Sequence, residues 1–178
     1  MNLVRLIAAL AAATLLAACA GVSPPKALVV KPLPDERPPD LVISATVFSP
    51  SLMQGAKLPR SLQPSRYVVE ADGILRAAIG PGASSTTFPS QTRQLTPRQF
   101  DGLWRLIRES GLLDSGSSAR VDDPESIVRE PARTTAVFFV TFGGERATLR
   151  ITLDRSSETA VNAEKILDRL AELAWVKD

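Results

Sequence analysis

The stretch Thr134–Leu153, TTAVFFVTFGGERATLRITL, determines the predicted fold of this chain. Two runs of alternating residues flank Gly143-Gly144, and a Gly-Gly pair between such runs is typical of a β-hairpin with a two-residue turn. Because side chains alternate between the faces of a strand, this turn fixes which residues share a face. Three apolar pairs then face the same side: Val140 with Ala147, Phe138 with Leu149, and Ala136 with Ile151. The sequence therefore predicts an antiparallel hairpin with one face in the core.

The second face of this hairpin is mixed. The same register pairs Phe139 with Thr148 and Val137 with Arg150. Two apolar residues on an outer face indicate either partial cover by another segment or a small exposed apolar patch, which would suit a partner. Val137 and Phe139 are therefore the candidate partner surface, and cover by the proline-rich tether or a long loop is the simpler interpretation.

A helix with clear boundaries lies upstream. Thr96-Pro97-Arg98-Gln99 has the pattern of a capping box with proline at the first helical position, and Leu95 with Phe100 forms a hydrophobic staple. Gly111 is expected to end the helix. Four apolar residues keep helical spacing: Phe100, Leu103, Trp104 and Ile107. At such a position we predict that Trp104 packs in the core, and a ligand pocket lined by Trp104 is the alternative.

Two further strand regions precede this helix. Leu41–Phe48 partly alternates and predicts one strand. Asp72-Gly73 separates Arg66–Ala71 from Ile74–Ile79 and predicts a second hairpin with a two-residue turn. That register places four residues on the core face: Val68, Leu75, Ala77 and Ile79. The segments 51–65 and 83–94 contain Pro, Gly, Ser and Thr and are predicted to be loops.

The C-terminal segment predicts a second helix, capped by Ser156 or Ser157. Its apolar stripe comprises Ala163, Ile166, Leu167, Leu170, Leu173 and Ala174. Glu164 is assigned to the outer face, and Trp175 is expected to fold onto the sheet. The order hairpin, helix, hairpin, helix predicts an α+β fold over residues 41–178. It is a two-layer sandwich whose antiparallel sheet combines two hairpins and an extra strand, with two helices packed on one face.

The connection 114–133 carries an acidic group. Asp122, Asp123 and Glu125 offer oxygen ligands for calcium, but the spacing of an EF-hand loop is absent, and ion pairing with neighbouring arginines is the preferred interpretation. Together with Asp154, these carboxylates are also the candidates for a carboxylate-dependent hydrolase, which needs two carboxyls with separated pKa values in one cleft.

Composition narrows the function classes. The chain has no histidine and one cysteine, which removes Ser-His-Asp and Cys-His catalytic sites and zinc sites built on imidazole. With 21 basic and 19 acidic residues the net charge is +2, which is too small to indicate a protein that binds nucleic acid. We predict no enzyme activity, no metal site and no cofactor, and no nucleic acid as a partner.

The N-terminus has the pattern of an export signal. Arg5 and the amino terminus are positive, and Leu6–Ala18 carries no charge. As a helix this stretch would be roughly 20 Å long, which is short of the ~30 Å hydrocarbon core of a bilayer. We therefore interpret residues 1–18 as a signal peptide rather than a membrane span.

The end of this signal, Leu16-Ala17-Ala18-Cys19, resembles the lipobox of bacterial lipoproteins. The resemblance implies cleavage between Ala18 and Cys19 and attachment of a diacylglyceryl group to the Cys19 thiol. Because Ala20 rather than aspartate follows the cysteine, it also implies sorting to the outer membrane. Ala18-Cys19-Ala20 equally fits the cleavage pattern of an ordinary secretory signal, which would release a soluble protein.

Residues 19–40 are predicted to be the lipidated cysteine and a proline-rich tether. Proline fixes φ and removes backbone donors, so the stretch suits an extended spacer. In the order of its elements, its Asp-Gly hairpin, its LTPRQFDGLW helix start and its terminal tryptophan, the chain resembles small uncharacterised domains of bacterial lipoproteins. The expected function is therefore a membrane-anchored, non-enzymatic envelope lipoprotein that is structural or binds an envelope protein or other component.

Overall fold

The described part of the protein is an α+β unit in which two helices pack against a six-stranded antiparallel open sheet. The computed structural model describes residues 32–50, 59–80, 82–83, 86, 88–114, 116–122 and 132–175. The strands are β1 (Val42–Phe48), β2 (Ser65–Val69), β3 (Ile74–Ile79), β4 (Gln91–Gln94), β5 (Thr135–Phe142) and β6 (Glu145–Thr152), and the helices are α1 (Pro97–Glu109) and α2 (Glu158–Ala174). The strand order β4-β3-β2-β1-β5-β6 places β1 between the two hairpins. The predicted fold class is confirmed.

The β5–β6 hairpin has the predicted register. Its three core pairs are Val140 with Ala147, Phe138 with Leu149, and Ala136 with Ile151. Gly143 and Gly144 have φ values of +58° and +76°, the left-handed conformation that a type I′ turn requires at both central positions. Turn chemistry and apolar pattern agree in this hairpin, so its register followed directly from the sequence.

The register predicted for the β2–β3 hairpin is wrong by one residue. Val69 pairs with Leu75 and Val68 pairs with Arg76, so Val68 lies on the opposite face from the core. The amide N–H of Gly73 donates to the carbonyl oxygen of Glu70 at 2.9 Å, and Gly73 has φ +86°. This is a three-residue loop that ends in a left-handed glycine, which Asp-Gly suits as well as a two-residue turn. Leu75 nevertheless lies in the core, as predicted.

Strand β4 lies inside the predicted loop 83–94. It pairs with β3 through Ile74 opposite Gln94 and Leu75 opposite Arg93. The Gln94 amide also donates to the carbonyl oxygen of Asp72 at 2.7 Å. Its sequence QTRQ has no apolar residue, so hydrophobic alternation could not reveal this short edge strand.

Helix α1 begins and ends as predicted. The backbone N–H of Gln99 donates to the Thr96 hydroxyl at 3.3 Å, and the Gln99 side chain accepts from the Thr96 N–H at 2.9 Å. The left-handed Gly111 follows the last turn. Trp104 is only 1% exposed and its ring lies 5.9 Å from that of Phe142, which confirms that it packs in the core.

Helix α2 begins after Ser157, whose hydroxyl accepts the N–H of Ala160 at 3.1 Å. Two predictions for this helix are wrong. Glu164 is buried and paired with Arg155, because the buried side of α2 also includes Ala160 and Ala171 and is wider than the predicted stripe. Trp175, at the C-cap, is 42% exposed and is not folded onto the sheet.

The described end of the predicted tether lies on α1. The Arg37 guanidinium is 2.9 Å from the Asp101 carboxylate and 4.3 Å from the centre of the Phe100 ring. Asp35 forms an ion pair with Arg108. Residues 33–40 are therefore part of the folded unit, which differs from the predicted boundary at residue 41. The tether 19–31 lies outside the described residues and remains a prediction.

Candidate binding face of the sheet

Both helices cover one face of the sheet. The side chains of α1 and α2 share a single core with β-strand residues such as Ile43, Tyr67 and Phe138. The opposite face carries Thr46, Arg66, Val137 and Arg150, which lie next to one another across β2, β1, β5 and β6. No described helix covers this second side, which we call the helix-free face.

Arginine dominates the charge of the helix-free face. By register it carries Arg66 on β2, Arg76 on β3, and Arg146 and Arg150 on β6. The described strand residues of this face include no carboxylate. Glu70, which directly follows β2, forms an ion pair with Arg76. Of these four arginine side chains Arg146 is exposed, and a guanidinium group can bind carboxylate and phosphate oxygens through paired hydrogen bonds.

The predicted partner surface lies on this face. Val137 is 4% exposed and therefore offers a partner almost no apolar area. Phe139 is half-buried, and the guanidinium of Arg146 lies 5.3 Å from the centre of its ring. Stacking on an aromatic ring orients the guanidinium while it keeps its hydrogen-bond donors. The two residues thus lie on a cationic surface rather than in an exposed apolar patch.

A second arginine–aromatic pair lies at the β3 side of the face. The guanidinium of Arg76 is 5.0 Å from the Phe88 ring and 2.6 Å from the Glu70 carboxylate. Phe88 is 61% exposed, the highest value among the large apolar side chains that the structure describes. An exposed ring beside an oriented cation is a combination that recurs in binding surfaces.

The sequence patterns did not predict that these arginines share one face of the sheet. Arg66 and Arg150 are far apart along the chain, and only the strand order, with β1 and β5 between them, brings them to one face. Alternation within each strand gave a usable signal, since Arg146 and Arg150 share a face with Phe139. The missing information was the order of the strands.

Two of the four carboxylate candidates, Asp122 and Asp154, lie in the described part of the chain. Asp154 is exposed and accepts hydrogen bonds from the Ser156 hydroxyl at 2.6 Å and the Ser156 N–H at 3.0 Å. These bonds lower the pKa of Asp154 below its usual value, whereas a general acid needs a raised pKa. Asp122 is exposed. Asp123 and Glu125 lie outside the described residues.

Within the described ranges, no group of three or more His, Cys, Asp and Glu side chains is placed to hold a metal ion. Within the same ranges, no helix combines the length and the apolar character needed to cross a bilayer. The predicted lipidation and cleavage residues, Ala18 and Cys19, lie outside the described part of the chain.

No protein-family model matches this chain, and neither does any curated protein.

Proposed function

We propose that this protein is a non-enzymatic, membrane-anchored envelope lipoprotein whose folded unit binds an envelope component through the helix-free face. The anchor is the acylated thiol of Cys19, and the sorting signal at Ala20 directs the protein to the outer membrane. The folded unit then works outside the cytoplasm, at the end of a proline-rich linker.

The observation that carries this proposal is the position of the chain's single cysteine. Cys19 stands at the end of an uncharged stretch of thirteen residues, Leu6–Ala18, directly after Leu16-Ala17-Ala18. A cysteine kept for packing would have no reason to occupy this position, and one acyl chain alone would bind a membrane only marginally. The two or three chains of a mature lipoprotein anchor it stably.

The binding role is supported by the composition of the helix-free face. It combines four arginines with two phenylalanines, the half-buried Phe139 and the exposed Phe88. Arginine and aromatic residues are enriched at interfaces, whereas lysine is depleted. No described position of this face holds a lysine.

The anchor is tested by metabolic labelling with a fatty acid, followed by fractionation of the envelope. Wild-type protein is expected to take up label and to sediment with membranes, and Cys19→Ala is expected to lose both. Ala20→Ser is the matched control and should keep both, while Ala20→Asp should keep the label and move to the inner membrane.

Two results would contradict the proposal. Membrane retention of Cys19→Ala at the wild-type level would mean that lipidation is not what holds the protein. A wild-type protein that is processed, unlabelled and soluble would indicate ordinary secretion instead.

A further inference from the structure

We propose that one side of α1 binds a proline-rich segment of a partner protein, and that residues 33–38 of this chain close this site in cis. Four side chains of the helix form the site, which we call the α1 site: Phe100, Asp101, Trp104 and Arg108. The partner segment carries a carboxylate and, two residues later, an arginine, as this chain does at Asp35 and Arg37. The α1 site lies on the helix side of the sheet, so it is independent of the helix-free face and of the anchor.

Residues 33–38 contact α1 in the way that a bound peptide contacts its receptor. They lie outside every helix and strand of the described chain, and side chains of α1 bind them. The indole N–H of Trp104 donates to the backbone carbonyl oxygen of Pro34 at 3.2 Å. Proline has no backbone N–H, so a proline-rich segment pairs poorly with a strand, whereas aromatic side chains recognise it well.

Two ion pairs make the α1 site selective for charge. The Arg37 guanidinium lies 2.9 Å from the Asp101 carboxylate, and Asp35 pairs with Arg108. Asp101 and Arg108 are seven residues apart, which is about 10 Å along the helix. A segment with these two charges exchanged would place like charges together at both positions, so the site rejects it.

The aromatic part of the α1 site favours occupancy. The Arg37 guanidinium lies 4.3 Å from the centre of the Phe100 ring, and Phe100 is 3% exposed. Departure of residues 33–38 would take this cover off the ring and remove the acceptor of the Trp104 N–H. A buried donor without a partner is unfavourable, so the open site gains from any segment that restores both contacts.

The cis contact is weak enough to be exchanged. The side chains of Asp35 and Asp101 are 96% and 53% exposed, and exposed ion pairs contribute little because water and salt compete with them. A partner segment competes with residues 33–38, and its apparent affinity falls with the fraction of sites that are open. Closure in cis and binding in trans exclude each other, which makes residues 33–38 an autoinhibitory segment.

The test uses the purified full chain and a dye-labelled peptide with the sequence of residues 32–40, with binding followed by fluorescence anisotropy. The double variant Asp35→Arg/Arg37→Glu exchanges the two charges of the segment and keeps the net charge of the chain, so it should release the segment. The matched control is Glu145→Arg/Arg146→Glu, which makes the same kind of exchange at two exposed positions of β6.

The peptide is expected to bind the released variant at least about tenfold more tightly than wild type or the control, because the cis segment keeps most wild-type sites closed. A peptide with the two charges exchanged should bind none of these three proteins. Asp101→Arg/Arg108→Asp should reverse the choice, so that the chain binds the exchanged peptide and rejects the original one. Circular dichroism checks that each variant is folded.

Three results would overturn the proposal. A folded released variant that binds neither peptide, or both equally, would mean that residues 33–38 only pack against α1. Equal affinity of wild type and released variant would show that the cis segment does not close the site. A wild-type dimer that dissociates in the released variant would make a second copy of this chain, rather than a partner protein, the occupant.

Discussion

The indole N–H of Trp104 donates to the backbone carbonyl oxygen of Pro34 at 3.2 Å. This bond joins the most buried aromatic residue of α1 to a segment whose composition predicts a free tether. Pro38 is buried as well, and the N–H of Leu41 donates to its carbonyl oxygen at 3.2 Å. Residues 33–40 thus contact α1 before the chain enters β1.

Removing the contacts of this segment with α1 is expected to destabilise the fold. A chain that begins at Asp40, and so keeps the bonds of the Asp40 carboxylate, should have a free energy of unfolding about 2–3 kcal/mol below that of a chain that begins at Pro32. The loss combines one hydrogen bond of about 1 kcal/mol with two exposed ion pairs of at most about 1 kcal/mol each. Urea denaturation followed by circular dichroism measures it. Equal stability of the two chains would show that the segment behaves as a tether after all.

Asp40 is expected to make stability depend on pH. Its carboxylate accepts the N–H groups of Gly144 and Gly143, both at 2.7 Å, and these bonds hold the pKa of Asp40 below its usual 3.8. The folded state therefore binds this proton less readily than the unfolded state. The stabilisation is complete well above pH 3.8 and is lost as the pH falls through the folded-state pKa. The stability difference between wild type and Asp40→Asn should accordingly shrink in acid. A difference independent of pH would contradict this role.

Two glycines should respond to alanine with opposite signs. Gly143 has φ +58° and open space where a Cβ would lie, so Gly143→Ala costs only backbone strain, about 1–2 kcal/mol. Gly143→Asn should cost less, because asparagine tolerates the left-handed region. Gly102 lies inside α1, also with open space around a Cβ, so Gly102→Ala should stabilise by about 0.5–1 kcal/mol. Thermal unfolding of the three variants would check these signs. Equal effects of both alanine variants would rule out the conformational explanation.

Sequence patterns predicted those elements in which several independent signals coincide. For β5–β6, the glycine turn and the apolar alternation specify the same register. For α1, the Thr96 cap, the staple and the helical spacing specify the same boundaries. At β2 the pattern failed because Tyr67, Val68 and Val69 are consecutive and apolar, so either alternate set satisfies a core face. The turn type then decided the register, and Asp72-Gly73 permits two turn types.

The candidate binding face depended on information that local patterns lack. Arg66 and Arg146 come from different hairpins, and their common face follows from the insertion of β1 between those hairpins. Short-range rules describe turns and periodicity, whereas strand order is a long-range property of the packed sheet. The same limit applied to Glu164, whose ion partner lies nine residues earlier, outside the helix that was predicted to expose it.

The last prediction concerns the ion pair of Arg155 and Glu164. The Arg155 guanidinium contacts both carboxylate oxygens of Glu164, at 3.1 and 2.9 Å, and Glu164 is 8% exposed. Arg155 also has φ +58°, a left-handed conformation that is strained for residues other than glycine, asparagine and aspartate. Arg155→Ala therefore keeps the strain and leaves a buried carboxylate without this partner, which should cost about 1–3 kcal/mol.

Arg155→Gly loses the same contact but relieves the backbone, so it should be more stable than Arg155→Ala by about 1 kcal/mol. Glu164→Gln separates the two effects, because a neutral amide needs no cation. In that background Arg155→Ala should cost less than in wild type, and the difference measures the coupling of the pair. Urea denaturation of the four variants and wild type gives all these values. If Arg155→Gly were no more stable than Arg155→Ala, the positive φ would carry no strain, and the ion pair alone would account for the loss.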